Sequence, residues 1–273
     1  MTAEPAPARQ RLAVLGYPVS HSRSPAVHNA ALAALGLDGE WHYEAIEVAP
    51  DRLEERVRAM PAEGFVGANV TVPHKTAALA LADSLSEVAR EIGAANTLTF
   101  EDGEIRADNS DGVGFLAALP ASPGRSRALV LGAGGAARAV VWALGREGAE
   151  IEVWNRTGLR SQNLCAELGG TPVADPATSR YELIVNTTAV GMQGEDPFSE
   201  LPLEDDGFGG GQVVVDLVYG DGPSRLLSAA AARGAATVDG IEVLVRQGAR
   251  SLQGWLGVEP PLEVMREAAR GAC

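Results

Sequence analysis

At 273 residues the chain is long for one hydrophobic core, so two domains of ordinary size are expected. Its 46% hydrophobic and 21% charged residues are globular proportions and argue against disorder. A net charge of −14 leaves no general basic surface for nucleic acid or an anionic membrane, so an anionic ligand must find local donors.

The chain opens on MTAEPAPARQ, which lacks the apolar core of a signal peptide, and no later stretch approaches the length of a membrane helix, so a cytoplasmic protein is expected. RLAVLG (11–16) reads as the first strand, and PVSHSRSPAVHN follows it. There Ser24 is expected to cap a helix that Pro25 begins, leaving Ser20 and Ser22 as spare hydroxyls able to orient a carboxylate or polyhydroxylated ligand. HYEAIEV (42–48) and FVGANVTV (65–72) read as strands, the second running through Pro73 into an alanine-rich helix with Lys75 in its first turn. A cation at the positive end of a helix dipole suggests a ligand or carboxylate nearby, although a solvated lysine is the commoner fate.

NTLTFEDGEIRADN (96–109) reads as a hairpin turning at Asp102-Gly103, with Asn96 at its start. Asp111 follows it, just before an apolar helical run, where an isolated aspartate reads first as a helix cap. Thr71, Lys75, Asn96 and Asp111 all stand near element ends and could line one polar pocket; spacing alone does not bring them together. LPASPGRSR (119–127) has linker composition.

Beyond it, RALVLG (127–132) leads into Gly132-x-Gly134-x-x-Ala137, a long helix from Gly135 and a second strand, EIEVWN (150–155). In that strand, turn and helix context the glycines point to a dinucleotide, with the pyrophosphate on the helix N-terminus. The acidic residue expected of an NAD site is missing from the strand's end, since Glu152 lies inside it. Asn155-Arg156-Thr157 and Arg160 instead offer donors suited to a phosphate, which favours NADP. YELIVNTT (181–188) places Asn186, Thr187 and Thr188 at a strand end, either as ligand contacts or as turn formers. After QVVVDLV (212–218), residues 239–257 carry an apolar helical face and PPLEVMREAARG closes the chain; these helices are expected to return to the first domain. Cys165 and Cys273 are too few for a disulfide framework, and His21, His28, His42 and His74 lack metal-site spacing, so no metal is expected.

Together GYPVSHSRSPAVHN, NVTVPHK, GAANTL, NSDGVGF, GAGGAAR, NRT, NTTAVGM, DLVY and DGIEVLVRQGA resemble the shikimate dehydrogenase family in content and order. The resemblance implies an α/β protein with an N-terminal substrate domain (1–111 and 241–273) and a Rossmann-like NADP-binding domain (112–240), the C-terminal helices returning to the first. It implies reversible NADPH-dependent reduction of 3-dehydroshikimate to shikimate, toward chorismate and the aromatic amino acids, by a monomer or homodimer. It places Ser22 and Ser24 on the substrate carboxylate, with Thr71, Lys75, Asn96, Asp111 and Gln247 around the ring and Tyr219 lining the same cleft. Lys75 and Asp111 are the proton-transfer pair, with their division of labour open. Gly132, Gly134, Gly135 and Ala136 would hold the pyrophosphate and Asn155, Arg156, Thr157 and Arg160 the 2′-phosphate, with Thr187, Thr188 and Gly240 also toward the cofactor. One departure stands out: the family's D-G-x-G-M-L is here Asp239-Gly240-Ile241-Glu242-Val243-Leu244, which predicts altered cofactor affinity. A quinate/shikimate dehydrogenase and a non-catalytic NADP-binding paralogue are the alternatives. Ser24 and Arg156 weigh against the first, and Lys75 with Asp111 against the second.

Overall fold

A computed structural model describes residues 9–272, which divide into two compact units: residues up to Ser110 with Gly248–Ala272, and Asp111–Gln247. In the first, β1 (Gln10–Gly16), α1 (Ser24–Ala34), β2 (Trp41–Glu47), α2 (Leu53–Ala59), β3 (Phe65–Val70) and α3 (Lys75–Leu81) come first. They are followed by β4 (Ser84–Leu85), α4 (Glu87–Ile92), β5 (Thr97–Glu101) and β6 (Glu104–Asp108). The sheet order is β2-β1-β3-β5-β6-β4, with β1 parallel to both β2 and β3, and β5 antiparallel to β3 and β6. The expected hairpin forms, and Asp102 and Gly103 at its tip have φ of 51° and 81°, the two positive values a tight primed turn needs. Leu15, Val57, Phe65, Val70 and Leu98 build one core on this sheet.

The second unit runs α5 (Asp111–Ala118), β7 (Arg127–Leu131), α6 (Gly135–Glu147), β8 (Glu150–Trp154), α7 (Gly158–Leu168) and β9 (Thr171–Pro172). It continues through β10 (Leu183–Asn186), α8 (Pro197–Glu200), β11 (Val213–Asp216), α9 (Arg225–Ala232) and β12 (Ala236–Asp239) into α10 (Gly240–Leu256). Every pairing is parallel in the order β12-β11-β10-β7-β8-β9, the doubly wound arrangement. Both faces of such a sheet are covered, so β7 and β10 read as uninterrupted apolar runs. In α6, Ala137, Val140, Val141 and Leu144 recur at helical spacing and are buried, with Ala139 and Ala143 beside them. Gly148 ends that helix with φ 83°, the left-handed cap glycine tolerates best.

The last turns of α10, from Gly248, and α11 (Leu262–Gly271) belong to the first unit, where α11 packs on α1. Arg23 fixes that packing by donating from Nη1 to the Ala269 carbonyl at 2.7 Å. The segment 119–127 connects α5 to β7 within the second unit.

Three strands stop two residues short of their expected ends, at Val70, Asn186 and Asp216. At two of them a side chain intercepts the backbone. Asn186 Oδ1 accepts the Thr188 N–H at 3.0 Å, and Asp216 Oδ1 accepts the Val218 N–H at 3.1 Å. Such Asx contacts replace the next ladder bond and turn the chain out of the sheet.

Candidate active site

In the first unit the polar positions gather at one sheet end because β1 and β3 run parallel and stop together. Tyr17 N–H donates to the Val72 carbonyl at 3.0 Å, tying the two exit loops, and Thr71 N–H donates to Leu15 at 2.8 Å. Gly16 permits this closeness, since a Cβ there would lie 2.6 Å from Thr71 Cγ2. The Thr71 carbonyl accepts from His74 N–H, and His74 Nε2 lies 2.7 Å from the Val48 carbonyl oxygen, fixing the turn that delivers Lys75 as the first residue of α3. Ala95 N–H reaches the Lys75 carbonyl and Val70 N–H the Asn96 carbonyl, at 2.9 and 2.8 Å. Thr71, Lys75 and Asn96 therefore share one end of the sheet.

The serine loop departs from expectation. The N-cap of α1 is Arg23, whose carbonyl accepts from Val27 N–H at 3.1 Å, and Ser24 is the first helical residue. Ser22 supplies the local acceptor instead, its Oγ taking the Ser24 N–H at 3.3 Å. Ser24 is buried and Ser22 half-buried.

Asn96 is buried, and its amide is held by the chain around it. Nδ2 donates to Ser110 Oγ at 2.9 Å, while Oδ1 accepts from Ser110 N–H and Thr97 Oγ1–H at 2.8 and 2.9 Å. Ser110 directly precedes Asp111, the first residue of α5. Beneath lies a polar chain that the sequence reading missed. Tyr43 Oη donates to Asn69 Oδ1 at 2.8 Å, and Asn69 Nδ2 donates to the Asn96 carbonyl and to Ser251 Oγ at 3.2 and 3.1 Å. The signal was present in the asparagine that opens NVTVPHK, a polar residue inside an apolar strand.

In the second unit β7 and β10 are neighbours from which the chain departs in opposite directions, the switch point where open sheets bind ligands. Gly132 turns there with φ 114°, and a Cβ on it would lie 2.5 Å from Thr187 Oγ1. Gly134 caps α6 with no side chain and nothing within 4 Å of its would-be Cβ, so the N–H groups of the first turn, at Gly135 and Ala136, meet open space on that side. These features fit a pyrophosphate. The hydroxyls beside them are engaged: Thr187 Oγ1 donates to the Leu131 carbonyl and Thr188 Oγ1 to Asn186 Oδ1, both at 2.7 Å.

At the end of β8 a cavity of about 310 Å³ is lined by Asn155, Arg156, Thr157, Arg160, Thr188 and Glu200 among others. Asn155 Nδ2 donates to the Thr157 carbonyl at 2.9 Å, shaping its wall. Glu152 stays inside its strand, where Oε2 accepts the Tyr181 hydroxyl at 2.5 Å. Burial and that carboxylate push the Tyr181 hydroxyl's pKa upward, so the pair is a fixed hydrogen bond rather than a ribose acceptor. Two guanidiniums and no strand-end carboxylate fit a 2′-phosphorylated dinucleotide.

Tyr219 follows β11 in the loop that Asp216 anchors by accepting from Ser224 Oγ at 2.6 Å and Asn186 Nδ2 at 2.9 Å. Burial raises the pKa of Asp216 in spite of these donors. Gly240 opens α10 against β11, leaving 2.5 Å between a would-be Cβ and the Leu217 oxygen. Gln247 lies on α10 beside Gly114, and its Nε2 donates to the Leu244 carbonyl at 2.9 Å. Glu242, the residue that departs from the family pattern, pairs with Arg246 Nε at 2.7 Å, so its charge is matched on the same helix. Among the described residues no group of three or more His, Cys, Asp or Glu side chains is placed to hold a metal.

Residues 14–98 match the family described as "Shikimate dehydrogenase substrate binding domain", and residues 240–270 the "Shikimate 5'-dehydrogenase C-terminal domain". The NADP(+)-dependent shikimate dehydrogenase of Mesorhizobium japonicum is 45% identical over 266 residues, covering 93% of this chain and 92% of that one. The chain belongs to the shikimate dehydrogenase family. Solved structures agree. The shikimate dehydrogenase of Aquifex aeolicus superposes with a TM-score of 0.90 at 37% identity, over 96% of this chain and 98% of that one. The Thermus thermophilus shikimate 5-dehydrogenase, in complex with NADP(H) and shikimate, gives 0.88 at 42% identity, over 97% and 100%. The family's substrate-domain match spans Ser22, Ser24, Thr71, Lys75 and Asn96, and its C-terminal match spans Gly240 and Gln247.

Proposed function

We propose that this protein is an NADP-dependent shikimate dehydrogenase, reversibly reducing 3-dehydroshikimate to shikimate on the route to chorismate and the aromatic amino acids. It would act in the cytoplasm as a monomer or homodimer, through a substrate-binding part comprising 1–111 with 241–273 and a nucleotide-binding part, 112–240. The observation that carries the reading is the convergence of Thr71, Lys75 and Asn96 at one sheet end of the unit that also holds Ser22 and Ser24.

When bound, NADPH supplies the hydride. The protein's own residues then have three tasks. Ser22 and Ser24 grip the substrate carboxylate through their hydroxyls, while Thr71, Asn96, Tyr219 and Gln247 read the ring. The pair Lys75 and Asp111 handles the proton, giving it to the carbonyl oxygen in reduction and taking it from the hydroxyl in oxidation, as a positioned acid and base must. Gly132, Gly134, Gly135 and Ala136 hold the pyrophosphate at the start of α6, and Asn155, Arg156, Thr157 and Arg160 take the 2′-phosphate. Thr187, Thr188 and Gly240 also face the cofactor.

Initial rates with shikimate and quinate, each crossed with NADP+ and NAD+, test the assignment. Shikimate with NADP+ is expected to dominate, and a preference for quinate with NAD+ would overturn it. Lys75→Ala should lower kcat by about 100-fold or more. Full turnover by that variant would instead favour a non-catalytic role for Lys75.

A further inference from the structure

The cavity at the end of β8 holds acidic as well as basic side chains. Beside Arg156 and Arg160 it is lined by Glu195 and Glu200. Glu200, the last residue of α8, brings a carboxylate oxygen to 4.0 Å of Arg156 Nη1, while 84% of the Arg156 side chain is exposed. Glu195 is pinned, with Oε2 accepting the Gly191 and Gln193 N–H groups at 3.0 Å each. Its own backbone N–H first, and then those two donors, hold its carboxyl below the usual carboxylate range, so it stays charged. Glu195 therefore supports its own loop, whereas Glu200's cavity-side partner is the guanidinium itself.

Counted as formal charges, these two arginines are balanced by these two glutamates. A phosphomonoester arrives with close to two negative charges and must draw Arg156 from Glu200 or share it. A ligand with hydroxyls at the same position meets no such competition. We infer that Glu200 is a specificity-determining residue that competes with the 2′-phosphate for Arg156, and so weakens the protein's discrimination for NADP over NAD. This rests on the proposal that the cavity receives that phosphate.

The contest is at the surface, where solvent screens a single charge, so removing it should change affinity by about 3- to 5-fold rather than by orders of magnitude. The probes are 2′,5′-ADP and 5′-AMP, which differ in the phosphate alone, titrated calorimetrically into the intact protein and a Glu200→Gln variant. Glu200→Gln is expected to tighten 2′,5′-ADP by about 3- to 5-fold at low salt and to leave 5′-AMP unchanged, with the gain shrinking as salt is raised. If wild type prefers 2′,5′-ADP but the substitution leaves its Kd unchanged, or shifts both ligands equally, Glu200 has no such role. If wild type shows no preference for 2′,5′-ADP, the NADP reading fails and the role of Glu200 falls with it. The Glu200 side chain is about half exposed, and coincident thermal unfolding of the two proteins confirms that the comparison is between folded states.

Discussion

The indole of Trp255 lies across Gly67. Its Nε1–H donates to the Leu98 carbonyl at 3.2 Å, and a Cβ built on Gly67 would fall 2.6 Å from the ring carbon Cε2 and 2.9 Å from the Leu98 oxygen. A glycine inside a strand costs stability unless something approaches that closely, and here α10 does. Gly67→Ala is expected to destabilise the protein by about 1–3 kcal/mol through overpacking. Urea unfolding measures it, and pairing the change with Trp255→Leu should recover part of the loss, because the two residues share one contact. Additive losses would mean that the indole is not what excludes the methyl group.

His28 gives the first unit an acid sensitivity of its own. It is fully buried, stacked on Tyr43 with ring centroids 4.0 Å apart, and Nδ1 lies 2.9 Å from the Ser24 carbonyl oxygen. Burial pushes its pKa from 6.5 down to about 4, against the smaller pull of the Ser24 carbonyl. The folded state thus favours neutral imidazole and the unfolded chain binds the proton first. Stability from this residue is complete above pH 6.5 and is lost as pH falls toward 4, by roughly 3 kcal/mol in all. His28→Phe, which keeps a ring on Tyr43, should flatten the pH dependence of unfolding between pH 6.5 and 4 by about one proton relative to wild type. An unchanged slope would show that the imidazole does not titrate with folding.

Ser22 combines a local and a proposed functional task. Its Oγ accepts the Ser24 N–H at 3.3 Å, a contact long enough that losing it should cost little stability. A hydroxyl donating to a carboxylate is a charge-assisted bond worth about 1.5–3 kcal/mol. Ser22→Ala should therefore raise the KM for shikimate by about 10- to 100-fold with kcat within a few-fold of wild type. A fall in kcat at constant KM would place Ser22 outside the carboxylate site.

These expectations show where a sequence is readable. Long periodic segments such as α6 and the continuous apolar runs of β7 and β10 carry their own burial pattern, so the α/β class was legible, whereas the return of the C-terminal helices rested on how few helices the first strands bring and on the family resemblance. The two-residue strands β4 and β9 were not, since two residues hold no periodicity. Strand ends were misplaced where Asn186 and Asp216 turn the backbone with side chains, a choice that depends on geometry at the edge. Ser24 looked like a cap by residue type, yet the helix begins at the carbonyl of Arg23. The motif residues could be named from the chain, but the support beneath Asn96 could not. Tyr43, Asn69 and Ser251 meet only after three separate elements have packed.

The turn at Gly132 offers a test that separates nucleotide binding from substrate chemistry. Its φ of 114° is strained for any L side chain, and a Cβ would press within 2.5 Å of Thr187 Oγ1, which itself donates to the Leu131 carbonyl at the end of β7. Gly132→Ala must therefore shift either the turn or Thr187, and both border the start of α6. Displacing the first-turn N–H groups by a few tenths of an ångström weakens their bonds to a phosphate without touching the serine loop or Lys75. NADPH affinity, read by nucleotide fluorescence, is expected to fall by about 10-fold or more. Any shikimate binding that the substrate unit sustains without nucleotide should remain. A variant that binds NADPH as wild type does would place the pyrophosphate away from Gly132.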